Sequence, residues 1–463
     1  MENTEKLGTE RVGKLLLYFS IPSIISLVLN ALYNMVDQIF IGRGVGYLGN
    51  GATNVIFPMT QLACAIGLLL GDGAAAYLNL KLGKGEKKDA EKGMAAGIAG
   101  LVLSGIAVTV LYNIFLEPLC VLFGATDTMM QYALDYGRII SLGMLFCIFS
   151  AGTMSMVRAD GAPKVAMAGM VTGCIINLIG DPLTIFVFGW GVKGAALATI
   201  LGQLANMIIN VVYLFHTKSV KLTKESFKGC LKYIPSVSKL GLSSFATQIA
   251  IAVVITFQNN LLVQYGALSE YGEEIPMTAL GVTMKVFTLL QCAVTGLCSG
   301  AQPIISYNYG AGHAKRVQSV LKRLLLITTA IMGIATIWFQ IAPMSIVNIF
   351  GSSDALYNEF SKKCLRIYLM LILLDGFQMC ASSYLQSTGK SFSASMLVLF
   401  RQIVVLIPSM FILAKIFGVE GILYAGAVSS LIVGIISIFA LKHEWKTLES
   451  REEKEELKPV HVQ

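Results

Sequence analysis

The stretch Gly73–Lys88, "GAAAYLNLKLGKGEKK", is answered 227 residues later by Gly300–Lys315, "GAQPIISYNYGAGHAK". Both pass from small apolar residues through a tyrosine or aromatic turn into glycines and then lysine. Two more pairs keep the same offset: "FGATD" at Phe123 with "FGSSD" at Phe350, and "GVKGA" at Gly191 with "GVEGI" at Gly418. Three matches at one spacing point to a duplicated unit, and the apolar runs between them show what was duplicated. Only 13% of the 463 residues are charged and 55% are hydrophobic, whereas a soluble domain carries about 25% charged residues. The mean hydropathy of +0.70 belongs to a polytopic membrane protein.

Twelve runs are long enough to cross about 30 Å of hydrocarbon as helices. They are read at residues 15–41, 52–79, 94–116, 132–158, 164–188 and 193–215, then 237–265, 276–306, 318–342, 362–386, 391–417 and 420–441. Six precede and six follow the longest polar connection. The expected organisation is therefore a first lobe over 1–215, an inter-lobe loop over 216–236, a second lobe over 237–441 and a charged tail over 442–463. Because six is even, the copies enter the membrane in the same sense, as a parallel repeat. The first run continues past Pro22 with no small-residue cleavage site, so it is read as an uncleaved span.

The net charge of +8 is a matter of topology. Lys81, Lys84, Lys87, Lys88 and Lys92 form one cluster, Lys218 to Lys239 a second, and Lys315, Arg316, Lys322 and Arg323 a third. They occupy alternate loops, while "SEYGEEIP" at Ser269 is acidic. The positive-inside rule then places both termini in the cytoplasm, and nucleic acid is disfavoured as a partner. The nine cysteines are scattered without a CxxC pair, and the four histidines fall in loops or the tail. Neither a disulfide framework nor a metal cluster is suggested, and no cofactor is expected. No nucleotide loop or hydrolase motif is present, which disfavours an enzyme and leaves an ion gradient as the energy source.

The chemistry lies in polar residues within the runs. On the first span Asn30, Tyr33, Asn34 and Asp37 recur at spacings of three and four, one helical face. The fifth offers Asn177, Asp181 and Thr184 with Pro182 beside the carboxylate, and the sixth Thr199, Gln203, Asn206 and Asn210. Asn, Thr and Gln side chains serve as hydrogen-bonding glue between helices. An aspartate without a basic residue in its own span costs about 2.5–3.5 kcal/mol to insert and marks a functional site. A carboxylate pair can exchange a proton or hold a small cation. The acidic pair is not duplicated: at the offset of 227, Asp37 becomes Gln264 and Asp181 becomes Ser409. The second half instead has Asp375, Gln378, Ser382 and Gln386 on its tenth span, with Lys285 and Arg401 as alternative ion-pair partners for Asp375. Met154 and Met156, with neighbouring aromatic rings, suit a cavity for flat lipophilic cations.

The chain resembles the MATE (multidrug and toxic compound extrusion) transporters, in particular the bacterial branch related to staphylococcal multidrug exporters. The resemblance is carried by "NMVDQIFIGRGVG" at Asn34, "LGKGEKKDAEK" at Leu82, "RADGAPKVAMAG" at Arg158, "NLIGDPLTIFVFGWGVKGAALAT" at Asn177 and "YLQSTGK" at Tyr384. It implies an all-α fold of twelve transmembrane helices in two six-helix lobes forming a V, in a bacterial inner membrane. It also implies alternating access coupled to H⁺ or Na⁺, with Asp37, Asn177, Asp181 and Thr199 as the coupling site. Substrates would be small organic cations, and the substrate cavity would involve Asn30, Tyr33, Asn34, Met154, Met156, Gln203, Asn206, Asp375 and Gln378. A second-lobe cation site, used by some relatives, lacks its seventh-span acid here, where only Gln248 stands near the expected place. A monomer is expected. Two alternatives remain: a flippase for a lipid-linked precursor, and a membrane-embedded receptor or enzyme.

Overall fold

A computed structural model describes residues 2–45, 47–123, 125, 127–272, 274–350 and 355–456. Parts of the second repeat pair, Gly124, Thr126 and Gly351–Asp354, lie outside the described residues, as does the tail beyond Glu456 with His461.

Backbone amides have no water to bond in hydrocarbon, so an apolar run satisfies them internally as a helix. The described secondary structure is helical throughout. Among the described residues ten helices are long and apolar enough to cross a membrane, and two bent pairs, each taken as one span, bring the number to twelve. In chain order the spans are α1 (Val12–Gly44), α2 (Gly51–Gly83), α3 (Lys87–Ile114), α4 (Met129–Leu142 with Met144–Ala159), α5 (Pro163–Val187) and α6 (Gly191–Leu214). Then follow α7 (Cys230–Gly266), α8 (Ile275–Gly310), α9 (Ala314–Ile341), α10 (Ala355–Tyr368 with Ile372–Ser387), α11 (Ser391–Phe417) and α12 (Val419–Ser450).

Three departures from the expected runs have local causes. The fourth run breaks by 52° at Gly143 and the tenth by 47° before Ile372. At Gly143 a Cβ would stand 2.5 Å from Ile200 of α6, so the glycine lets α6 press against the bend. The final span does not stop at Leu441. It runs on as a helix that buries Leu448 and Glu444, and Glu444 is held by Lys390 at 2.6 Å. The polar start is also structured: Glu2–Thr9 is a helix whose Leu7 carbonyl accepts hydrogen bonds from Asn308 Nδ2 (2.9 Å) and Arg316 Nη2 (3.0 Å).

Each half has its own core. One apolar cluster joins Ile41, Met59, Ala74, Met94, Leu101, Ile148 and Met156 within the first six spans. A second joins Val294, Ile304, Leu321, Phe339, Leu369 and Tyr384 in the last six. The beginning of α1 crosses this division, since Leu7, Val12, Leu15, Leu16 and Phe19 pack into the second core. The lobes meet along two seams, α1 against α8 and α2 against α7, where missing side chains let backbones touch. A Cβ on Gly300 would stand 2.5 Å from Ser20 Cα, and one on Gly241 only 1.8 Å from the Leu69 carbonyl oxygen. These seams lie at the end of the bundle that carries the lysine-rich loops. Toward the opposite end the apolar helices expose Asn34, Thr256, Asn259, Asn260 and Lys285. Polar side chains at such depth face water rather than lipid, so a cleft opens between the lobes on that side.

Candidate functional site

The first lobe places its acidic pair where α1 and α5 pack together. Gly173 of α5 and Gly202 of α6 lie backbone to backbone, and this close pairing brings Thr199 of α6 over Asn177. In the orientation that satisfies both ends of the Asn177 amide, its nitrogen donates to Asp181 Oδ2 at 3.0 Å. Its oxygen then accepts from Thr199 Oγ1 (3.1 Å) and from the Thr199 backbone N–H (3.2 Å). Below Pro182 the helix loosens into a π-turn over Leu183–Val187, a feature that recurs at functional sites. Thr184 Oγ1 takes up the slack by donating to the Gly180 carbonyl at 2.8 Å.

Asp37 meets this group from α1. Its carboxyl and that of Asp181 stand within hydrogen-bonding range of each other, and both are buried, 8% and 0% exposed. Gln38 Nε2 donates to Asp37 Oδ2 at 3.4 Å and is itself held by Thr53 Oγ1 at 3.3 Å. Asp37 Oδ1 has no hydrogen-bond partner. The structure thus gathers Asp37, Asn177, Asp181 and Thr199 into one cluster, and it adds Tyr136 of α4, whose buried hydroxyl lies close to Thr199 and to both carboxyls. Tyr33, one turn before Asp37, lies beside the cluster as well.

The other cavity residues distribute differently. The first-span polar stripe splits, because Asp37 is buried while Asn34 is exposed and bonds only back to the Asn30 carbonyl at 2.7 Å. Asn206 is a packing residue: it accepts from Asn210 Nδ2 at 3.0 Å and lies against Gly169 of α5. Gln203, one turn earlier on α6, is half-buried. Met154 and Met156 are both buried in this structure, 6% and 0% exposed. Met156 is fully buried against Gly97 of α3, and Met154 packs with Val157, Ala166 and Tyr213, so both thioethers fill the lobe's interior.

In the second lobe Asp375 pairs with Arg401, Nη2 to Oδ1 2.8 Å, with side chains 3% and 10% exposed. Arg401 Nη1 also donates to Gln378 Oε1 at 3.1 Å. Phe287, Tyr368, Ser429 and Ser430 complete a small cavity around the pair. Both helices are π-helical nearby, at Cys364–Tyr368 and Phe400–Leu406. Lys285, the alternative partner, is exposed on α8 instead. Asp375 and Gln378 are therefore charge-neutralised and enclosed, while the first-lobe acids have no cation beside them among the described residues.

Sequence reasoning passed over Tyr136, Gln38, Asp72 and Arg158. Nothing around Tyr136 marks it in the chain, since it reaches the acids only through the bend of α4. Asp72 carried the same signal as Asp37, an acid inside the apolar run "GLLLGDGAAAY", and the buried Arg158 closes the fourth run.

Two six-helix membrane lobes, one enclosing an unneutralised acid pair and the other a neutralised one, define a membrane transporter architecture. The chain belongs to the MatE family, whose sequence model matches residues 22–183 and 245–412, one segment in each lobe. It is similar to the multidrug export protein MepA of Staphylococcus aureus (strain MRSA252), 24% identical over 415 residues covering 89% of this chain and 90% of the relative. MepA of Staphylococcus saprophyticus is 24% identical over 432 residues, 92% and 93% of the two chains. Among solved structures, an outward-facing conformation of a multidrug resistance MATE family transporter superposes with a TM-score of 0.88 at 20% identity, covering 97% of this chain and 99% of that one. A crystal structure of MATE in complex with MaL6 gives 0.87 at 21%, covering 96% and 99%. At these identities the structural likeness speaks for the fold alone.

Proposed function

We propose that this protein is a secondary active multidrug exporter, exchanging lipophilic organic cations for H⁺ by alternating access. The observation that carries the coupling is the contact between the Asp37 and Asp181 carboxyls. Two ionised carboxylates so close in a low-dielectric site repel strongly, and a shared proton removes that repulsion. Na⁺ is the less favoured ion: it needs several oxygens at fixed distances, and those of Asn177 and Thr199 are already engaged with each other. The unpartnered Asp37 Oδ1 is where a second proton or a cation would be received. Uptake of the ion must favour one arrangement of the lobes over the other, since an ion with equal affinity for both drives nothing. Seams closed at one end and a cleft at the other suit one member of such a pair of states. The lysine-rich loops at the closed end assign that end to the cytoplasm, with both termini. Export of organic cations follows the naming of the MepA relatives, and the chain is proposed to act as a monomer without a cofactor.

The test is export of ethidium from proteoliposomes under an imposed pH gradient in sodium-free buffer. Robust transport supports proton coupling. Transport that starts only when a sodium gradient is added overturns the choice of ion, and none under either gradient overturns the exporter reading.

A further inference from the structure

Gly71, Asp72 and Gly73 stand where α2 meets a helix on each side. A Cβ on Gly71 would lie 2.3 Å from Gly152 Cα of α4, in the same lobe, and one on Gly73 would lie 2.1 Å from the Val237 carbonyl oxygen of α7, in the other. The two glycines thus bring both neighbours to backbone contact, with Asp72 between them. Its Oδ2 accepts a hydrogen bond from Ser244 Oγ of α7 at 2.6 Å. Ser244 Oγ in turn accepts from Gln386 Nε2 of α10 at 2.9 Å. One turn away, Ser243 and Ser382 join the same two second-lobe helices at 3.3 Å. On the first-lobe side Arg158 of α4 is buried, donates to Ser155 Oγ at 2.8 Å and lies within electrostatic reach of the Asp72 carboxylate. A polar chain therefore runs from Arg158 through Asp72, Ser244 and Gln386, and its one crossing between lobes is the Asp72–Ser244 bond.

We propose that Asp72 is a gate residue: its hydrogen bond to Ser244 latches the lobes at the closed end of the cleft and breaks whenever that end opens. The geometry favours a latch over simple glue for two reasons. The bond joins helices of different lobes, and neither Asp72 nor Ser244 belongs to either lobe's apolar core. On its own side Ser244 keeps the Gln386 donor to its oxygen and Asp72 keeps the electrostatic influence of Arg158, so parting the lobes hands one O–H and one carboxylate oxygen to water in the opened wall instead of stranding them in a dry core. The latch bears on transport through the alternating-access reading, whereas the bond and its effect on the seam do not depend on any substrate.

Hydrogen–deuterium exchange of the purified protein in lipid nanodiscs, without substrate, tests the latch. A hydrogen bond to a charged group biases a two-state equilibrium by about tenfold or more. Asp72→Ala should therefore raise exchange about tenfold in the seam peptides of α2 (Leu69–Leu80) and α7 (Ile234–Ser244), with the remaining spans unchanged. Ser244→Ala removes the same bond from the other lobe and should do the same, and it carries the test alone if Asp72→Ala fails to fold. The double variant should exchange no faster than either single one, while Asp72→Asn, which keeps an acceptor oxygen but not the charge, should fall between wild type and Asp72→Ala. Seam exchange that is unchanged in both single variants overturns the latch. So does a general rise over all spans, or additive effects in the double variant, because either would mark Asp72 as a packing residue. The measurement involves no transport, so it stands or falls apart from the export assay.

Discussion

Replacing Arg401 by methionine should destabilise the protein severely, and removing its partner as well should restore most of the loss. In the wild type the guanidinium lies 2.8 Å from a carboxylate that is 3% exposed. The pair sits in a small cavity whose other lining is Phe287, Tyr368, Leu369, Ile372, Leu406 and Gly426, with the hydroxyls of Ser429 and Ser430. Taking away the cation leaves Asp375 beside the Ser430 hydroxyl, which donates to the Gly426 carbonyl at 3.0 Å, and leaves the Gln378 amide oxygen without its donor. Stranding one member of a buried pair costs about 3–5 kcal/mol, and the orphaned amide oxygen adds about 1–3 kcal/mol. Together they lower the folding equilibrium by about a thousandfold or more, at 1.4 kcal/mol per decade. Asp375→Leu combined with Arg401→Met removes both charges and fills the space with apolar atoms, a replacement that is often neutral or stabilising. The assay is unfolding of detergent-purified protein, monitored by the monodisperse fraction on size exclusion after heating, for both single variants and the double. An Arg401→Met protein as stable as wild type, or a double variant showing the sum of the single losses, would refute the reading of Asp375–Arg401 as a self-contained neutral pair.

Asp37→Asn and Asp181→Asn should each give a folded, inserted protein whose ethidium export falls to the empty-vector level, since each change removes a titrating group and leaves the cavity's shape. Wild-type export from Asp37→Asn at normal expression would sink the coupling assignment. Asp375→Asn strands the Arg401 guanidinium and should lower the yield of folded protein, but export per folded molecule should fall less than in the first-lobe variants and differ between substrates; loss of all transport per folded molecule there, with the first-lobe variants active, would move coupling to the second lobe. Asp160→Ala should cost about 2–3 kcal/mol of stability, because the carboxylate accepts from Tyr213 Oη (2.7 Å), the Lys218 N–H (2.7 Å), the Ser219 N–H (3.0 Å) and the Ser219 hydroxyl. A thermal-unfolding midpoint equal to wild type would show that water replaces those bonds.

Much of the fold was legible in the chain, because a bilayer admits few solutions. Apolar runs of about twenty residues must be helices, and the 227-residue offset showed that six of them had been copied. The acid pair was legible for a related reason: a carboxylate in hydrocarbon is too costly to be incidental, and the basic residues of the two spans, Lys14, Arg43 and Lys164, lie at the span ends away from the middle of the bilayer. Other features needed the tertiary structure, because they depend on which helix lies opposite. Nothing in sequence chooses between Lys285 and Arg401 as the partner of Asp375, whereas the packing of α10 on α11 buries one and leaves the other exposed. Met154 and Met156 look like cavity walls by composition, yet the rotation of α4 turns them into the lobe's interior. Tyr136 joins the acids only through a 52° bend that glycine permits and the neighbouring helix requires. Asp72 shows the boundary most clearly: the chain marks it as an intramembrane acid, but only the approach of α7 across the seam, permitted by Gly73 and Gly241, makes it a contact between lobes.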